Sequence, residues 1–137
     1  MRPLGYWIKE IDRRIEADFG RLLEDEDLTR RHWQVLTTLA EREAGTLAEL
    51  DRALAPFTPT VRPQHDDLIH RGWATEAAGP GPGAAAVALT AAGRAAHDRV
   101  SERVRAFRAQ VTEGLSEDDY ATLITLLERV AGNLTPA

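Results

Sequence analysis

Three short amphipathic segments in close succession between Thr29 and Trp73 constrain the fold of this chain more than any other feature. The first segment begins at Thr29, a residue that can cap the free amides of a helix. In the second, Glu49 stands three residues after Thr46, which is the spacing of a capping box. The third ends at Gly72, since glycine readily takes the left-handed conformation that closes a helix. We therefore predict three short helices joined by tight turns.

The start of the third helix has two possible registers. If Thr58 caps the helix, Pro63 lies inside it and removes a backbone hydrogen bond. If Thr60 caps it, Pro63 falls in the first turn, where its missing N–H does no harm. We favour the second register.

A β-hairpin follows these helices. Residues 73–77 and 84–89 are typical of short strands, and the Gly-Pro-Gly-Pro-Gly sequence between them is typical of a turn. Three short helices followed by a hairpin, or wing, form a winged helix-turn-helix, which places one helix in a groove of DNA. We expect double-stranded DNA as a partner.

Long helices are predicted on both sides of this motif, at residues 4–23, 91–114 and 117–134. Their apolar stripes are too extensive for a small winged domain to cover alone, so we predict a homodimer in which they meet. The predicted fold is mainly α, a winged helix-turn-helix with a small β-hairpin wing and terminal dimerisation helices. It is one domain over 1–137, with dimerisation helices in 1–28 and 91–137 and the winged helix-turn-helix in 29–90.

Composition limits the classes of protein to consider. With 137 residues and 43% hydrophobic composition, the chain is long enough for one compact domain. No window approaches the roughly 18 consecutive apolar residues of a membrane span, and the first residues do not resemble a signal peptide. We expect a cytoplasmic protein with no membrane partner. The chain has no cysteine, which excludes disulfides, thiolate ligands and thiol-based redox sensing.

The net charge of −5 opposes DNA binding unless the charges are segregated. Residues 1–28 have five basic and eight acidic groups, whereas residues 29–73 have six of each. The neutral middle can dock on DNA through a few positioned contacts, although an acidic protein with no nucleic-acid partner stays a real alternative.

Catalytic and metal-binding motifs are not evident. The sequence contains no nucleophile elbow, P-loop or dinucleotide fingerprint, and the adjacent Asp66 and Asp67 diverge around a helix. Asp66 and His70 are one helical turn apart, but a third ligand at fixed spacing is missing. We predict no enzyme, no catalytic residue, no metal and no cofactor.

The third short helix, which ends at Gly72, contains the best candidates for reading DNA. An arginine such as Arg62 suits guanine in the major groove and a glutamine such as Gln64 suits adenine, although any exposed helix can contain both residue types. The full set of candidate DNA-binding residues is Thr46, Thr58, Thr60, Val61, Arg62, Gln64 and His65.

Aromatic side chains occur in the long helix at residues 4–23, in the first short helix and just before the third short helix. They are candidates for a ligand pocket, because such pockets combine aromatic walls with a few polar groups. The candidates are Tyr6, Trp7, His32, Trp33 and Phe57. An ordinary role in the core and dimer contacts is at least as well supported.

The order of these segments resembles the MarR family of winged-helix regulators over nearly the whole chain. The most specific pieces are the run from Asp67 to Trp73 that leads into the wing and the run from Leu89 to Gly93 that leads out of it. The resemblance implies an obligate dimer, a pseudo-palindromic operator and, in many members, release from DNA by a small aromatic or phenolic molecule.

The chain departs from that family in its wing. Members usually have a basic wing residue that enters the minor groove, and here no basic residue stands between Arg71 and Arg94. The recognition helix is also less basic than usual, with Asp66 and Asp67 opposing phosphate. A dimeric small-molecule-binding protein with weak or lost DNA binding is therefore the alternative function.

Overall fold

The structure, a computed structural model, describes residues 1–77, 79 and 84–136. In these residues the order of elements is α1 (Leu4–Leu23), a 3₁₀ turn (Glu24–Glu26), α2 (Arg30–Arg42), α3 (Leu47–Ala53), α4 (Arg62–His70), β1 (Ala74–Ala77), β2 (Ala86–Leu89), α5 (Ala91–Val111) and α6 (Glu117–Gly132). This mainly helical architecture with one antiparallel hairpin confirms the predicted winged helix-turn-helix fold.

Local capping signals set most of the helix starts. Thr29, Thr46 and Ser116 each accept a hydrogen bond from the backbone N–H three residues on, and the side chain at that third position accepts the amide of the cap. These are complete capping boxes, and they fix where α2, α3 and α6 begin. The third partner in α2 is His32, where glutamate or glutamine is usual.

The start of α4 differs by one residue from the favoured register. Val61, not Thr60, is the N-cap, although the Thr60 hydroxyl still accepts the Arg62 amide at 3.1 Å. Pro63 lies in the first turn as predicted. Helix α5 ends at Val111, three residues before the predicted end, because Gly114 takes a left-handed conformation with φ of 86° in the turn that follows.

The hairpin pairs Ala74 with Leu89 through to Ala77 with Ala86. Gly45 adds a bridge to its outer edge by exchanging two backbone hydrogen bonds with Val87, at 2.9 and 2.8 Å. The wing tip predicted at residues 78–83 lies, apart from Gly79, outside the described residues.

Contacts divide the chain into two compact units, Met1–Arg103 and Val104–Ala137. In the first unit, α2 contacts α1, α4 and β2, and the core between them contains fully buried aliphatic side chains: Leu23, Val35, Leu36, Leu39, Leu50, Val61, Leu68, Val87 and Val100. In the second unit, α6 has no buried residue. That the whole chain is one domain stays a prediction.

The junction from the hairpin to α5 explains the sequence from Leu89 to Gly93. The Thr90 hydroxyl donates to the Gly72 carbonyl at 2.6 Å and accepts the Gly93 amide at 3.1 Å. A Cβ on Gly93 would lie 2.0 Å from the Trp73 carbonyl oxygen, so only glycine fits there. Residues 72–73 and the first turn of α5 therefore hold each other in place.

Candidate functional site

Asp51 of α3 fixes the start of α4. Its Oδ1 accepts the Val61 amide at 2.8 Å and the Thr60 hydroxyl at 3.1 Å. Val61 has no capping side chain of its own, so Asp51 supplies the acceptor for the Val61 amide while the Thr60 hydroxyl accepts the amide of Arg62. The relative placement of α3 and α4 at this turn depends on that carboxylate.

The first turn of α4 presents two of the predicted DNA-contacting residues. Arg62 is exposed and forms no ion pair with any described residue, and Gln64 is half-buried. Arg52 on α3 is likewise exposed and unpaired within the described part of the chain. Each of these two helices has one arginine beside two carboxylates, so the positive charge is confined to the two guanidinium groups.

Two predicted contacts are wrong. Val61 is fully buried and His65 is 6% exposed, and the two residues lie one turn apart on the face of α4 that also buries Leu68. Residues on that face pack against the core, so neither side chain is available to a base edge. The His65 ring donates from Nδ1 to Asp66 at 2.7 Å, and its buried Nε2 has no hydrogen-bond partner in the part of the chain that the structure describes.

The three predicted threonines already form internal hydrogen bonds. Thr46 is the cap of α3, the Thr58 hydroxyl donates to the Thr60 carbonyl at 3.1 Å, and the Thr60 hydroxyl donates to Asp51. Contact between these threonines and DNA stays a prediction.

The five predicted ligand-binding residues fall into separate local contacts. Tyr6 and Trp7 form an edge-to-face pair with ring centroids 5.1 Å apart on the exposed start of α1. Phe57 lies with its ring centroid 5.5 Å from the guanidinium carbons of both Arg30 and Arg31.

His32 and Trp33 are adjacent in sequence and both are buried, but their side chains contact different partners. Trp33 stacks on His97 of α5 with 4.9 Å between ring centroids, and its buried indole N–H has no hydrogen-bond partner among the described residues. His32 is hydrogen-bonded on both ring nitrogens, to Thr29 and Asp67.

An open depression of about 780 Å³ follows one face of α1. Its lining includes Tyr6 but none of the other four candidates, and most of that lining is charged: Lys9, Glu10, Asp12, Arg13 and Glu16. Because ligand pockets enclose most of the molecule that they bind, a depression open to solvent along a single helix does not suit such a ligand.

No family model matches this sequence, and no curated protein matches it. Solved structures do match. A variant of MarR from E. coli complexed with operator DNA has a TM-score of 0.81 and 25% identity, covering 93% of each chain. A probable transcriptional regulator from Pseudomonas aeruginosa has a TM-score of 0.80 and 27% identity, covering 93% of this chain and 96% of that one.

Over nearly its whole length, the chain is therefore similar in fold to transcriptional regulators of the MarR family. Bordetella bronchiseptica BpsR, whose DNA binding is regulated by 6-hydroxynicotinic acid, shares the fold with a TM-score of 0.82 and 23% identity, over 95% of this chain and 94% of that one.

Sequence reasoning missed an internal role for Asp67. Its carboxylate accepts from His32 Nε2 and Arg71 Nε, both at 2.9 Å, instead of lying free to repel phosphate. Hydrogen bonds from Arg71 and His32 hold the pKa of Asp67 below its usual value against the opposing effect of burial, which is the largest single influence. The four-residue spacing of Asp67 and Arg71 was the available signal.

The described residues contain no group of three or more His, Asp or Glu side chains able to hold a metal ion. Nor does any helix in the described ranges have the length and apolar character needed to cross a bilayer.

Proposed function

We propose that this protein is a homodimeric DNA-binding transcriptional regulator that acts in the cytoplasm and has no catalytic activity. The observation that supports it best is the match over 93% of both chains to a MarR variant complexed with operator DNA. In this proposal α4 is the recognition helix, α3 is the helix before it and the hairpin is the wing.

Arg62 and Gln64 read base edges in the major groove in this proposal, and Thr46, Thr58 and Thr60 contact the phosphate backbone. Arg62 supports the assignment because it is exposed at the first turn of α4 and free of ion pairs with described residues. The Thr46 hydroxyl accepts from the Glu49 amide and can donate its own proton to phosphate, whereas the Thr58 and Thr60 hydroxyls have to leave their internal acceptors to do so.

Exposed apolar residues on the terminal helices support a homodimer. Trp7, Ile8 and Ile11 of α1 are each close to half exposed. In the second unit, Tyr120, Leu123 and Leu126 of α6 are exposed to a similar degree. A second copy of the chain that covers both faces would present two recognition helices related by a two-fold axis, which suits a pseudo-palindromic operator.

A small hydrophobic or aromatic effector that releases the protein from DNA is the second part of the proposal. BpsR, which shares the fold, has its DNA binding regulated by a small aromatic acid. In this chain the Trp33 indole N–H is buried without an acceptor, and a bound molecule that supplies one would recover that hydrogen bond. Tyr6, Trp7, His32 and Phe57 are the other residues proposed to respond to it.

A gel mobility-shift titration on DNA from upstream of the protein's own coding sequence tests the proposal. Wild-type protein is expected to shift the fragment, and Arg62→Ala to weaken specific binding by about 1–3 kcal/mol. Arg21→Ala is the matched control, because it removes the same charge from exposed α1. Equal weakening by both variants would overturn the role of Arg62, and no shift at any protein concentration would overturn DNA binding.

The alternative is a dimeric small-molecule-binding protein with weak or lost DNA binding. It is favoured by the balanced charge of residues 29–73 and by the lack of any basic residue between Arg71 and Arg94. Ligand-induced quenching of tryptophan fluorescence without any DNA shift would support it.

A further inference from the structure

A buried histidine joins the start of α2 to the middle of α4. His32 is 9% exposed, and its Nδ1 lies 3.0 Å from the Thr29 backbone nitrogen and 2.8 Å from Thr29 Oγ1. Its Nε2 lies 2.9 Å from Asp67 Oδ2. One imidazole ring therefore completes the capping box of α2 and also contacts the helix proposed to read DNA.

These partners determine where the ring proton is. A backbone N–H only donates, so Nδ1 has to offer its lone pair to Thr29, and an ionised carboxylate only accepts, so Nε2 has to carry the proton toward Asp67. A doubly protonated ring can keep its bond to Asp67 and can donate from Nδ1 to the Thr29 hydroxyl, but it can no longer accept the Thr29 N–H. Protonation thus leaves the amide at the start of α2 without its acceptor.

The contact continues beyond Asp67. The same carboxylate oxygen accepts from Arg71 Nε at 2.9 Å, and Arg71 donates to the backbone carbonyls of Glu26 at 2.9 Å and Asp27 at 2.5 Å. The Glu26 side chain accepts from Arg99 of α5 at 2.6 Å. Helix α4 is thereby tied to α2, to the turn after α1 and to α5 through hydrogen bonds that start at His32.

The charged groups that face His32 shift its pKa in opposite directions. Burial lowers the pKa of the ring below its usual value, and the positive charge of Arg71 lowers it further. The carboxylates of Asp67 and Asp27 oppose this by favouring the charged ring. The balance keeps His32 neutral at pH 7 in the folded protein.

We propose that His32, neutral and protonated on Nε2, is a positioning residue for the recognition helix and makes DNA binding sensitive to acid. The proposal rests on the proposed function. In this proposal, DNA binds the form in which the neutral His32 ring holds α4 through Asp67. Below the pKa of His32, a charged ring has to release its proton before DNA binds. Each such ring lowers the affinity by up to about tenfold per pH unit.

General charge effects have the opposite sign. The net charge is −5 with the four histidines neutral, so acidification makes the chain less negative and strengthens its attraction to phosphate. A fall in affinity at low pH therefore points to a specific group and not to overall charge.

The test is a fluorescence anisotropy titration with operator DNA between pH 5 and 8 at constant ionic strength. His32→Gln is the decisive variant. Glutamine is a usual partner in a capping box, its carbonyl can accept the Thr29 amide, its amide can donate to Asp67, and it does not titrate in this range. His70→Gln, at the exposed end of α4, is the matched control.

Wild type and His70→Gln are expected to lose affinity on acidification by up to about tenfold per pH unit for each ring involved, while His32→Gln keeps its affinity or gains some. A wild-type affinity that does not fall, or a fall that persists in His32→Gln, would overturn the role of His32 and leave DNA binding intact. Failure of all three proteins to bind DNA at any pH would overturn the proposed function and this role together.

Nitrogen NMR of the imidazole provides a readout that does not depend on DNA. The expected spectrum at pH 7.5 has the His32 proton on Nε2, and the Thr29 amide loses protection from exchange as that ring titrates. A proton on Nδ1 at pH 7.5 would overturn the arrangement.

Discussion

Single residues in this chain show how burial decides the use of a side chain. His65 stands three residues after the exposed Arg62, yet it lies on the inward face of α4, where its Nε2 has no partner among the described residues. A buried unpaired nitrogen costs free energy that an apolar side chain of similar size does not.

His65→Leu is therefore expected to raise the free energy of unfolding by about 1 kcal/mol. The same change at exposed His70 should alter it by less than about 0.5 kcal/mol. Urea denaturation of the three proteins measures both effects, and a destabilised His65→Leu protein would show that the ring makes a contact worth more than its unpaired nitrogen costs.

Gly93 and Gly20 both lie in helices but have opposite surroundings. A Cβ at Gly93 would collide with the Trp73 carbonyl oxygen, so Gly93→Ala is expected to lower the free energy of unfolding by more than about 2 kcal/mol. A Cβ at Gly20 meets nothing within 4 Å, so Gly20→Ala should raise it by up to about 1 kcal/mol. Thermal melts of both variants test the pair, and equal signs would contradict the packing described at the hairpin exit.

At the scale of elements, the start of α4 depends on a residue from another helix. Asp51→Ala removes the acceptor of the Val61 amide and is expected to cost about 1 kcal/mol of stability, as the loss of an N-cap does. Because Arg62 follows directly, specific DNA binding should weaken as well. Asp51→Asn, which keeps an acceptor at the same place, should recover most of the stability and most of the DNA affinity. Circular dichroism melts measure the stability and DNA titrations measure the affinity. An Asp51→Ala protein with unchanged stability would contradict the capping role.

Elements whose signals lie within a few residues could be predicted from the sequence. The capping box at Thr46 and the left-handed Gly72 specify their own helix ends locally, and the structure confirms both. Contacts between distant segments could not be predicted. The Gly45 bridge to Val87 joins residues far apart in sequence, and no local pattern encodes it.

The candidate site was harder to predict than the fold for the same reason. The exposed position of Arg62 follows from the register of α4, but the inward orientation of Val61 and His65 depends on how that helix packs on its neighbours. The partner of His32 stands 35 residues away, so its role was visible only in three dimensions.

At the scale of the whole molecule, we expect a homodimer. Ile11 of α1 and Leu123 of α6 are about half exposed, and apolar surface of this extent favours association. Multi-angle light scattering at micromolar concentration should give twice the chain mass for wild type and for the control Arg13→Gln. Ile11→Asp and Leu123→Asp should shift the mass toward that of one chain, and a wild-type monomer would contradict the assembly.

Selection of bound sequences from a random pool of duplex DNA tests the central claim, sequence-specific DNA binding by a dimer, most directly. The account predicts enrichment of an inverted repeat whose half-sites are separated by about one helical turn, 10–10.5 base pairs from centre to centre. It also predicts that Arg62→Ala relaxes the preference at one base position in each half-site. Recovery of a pool with no enriched sequence, under conditions where the protein is folded and dimeric, would contradict it.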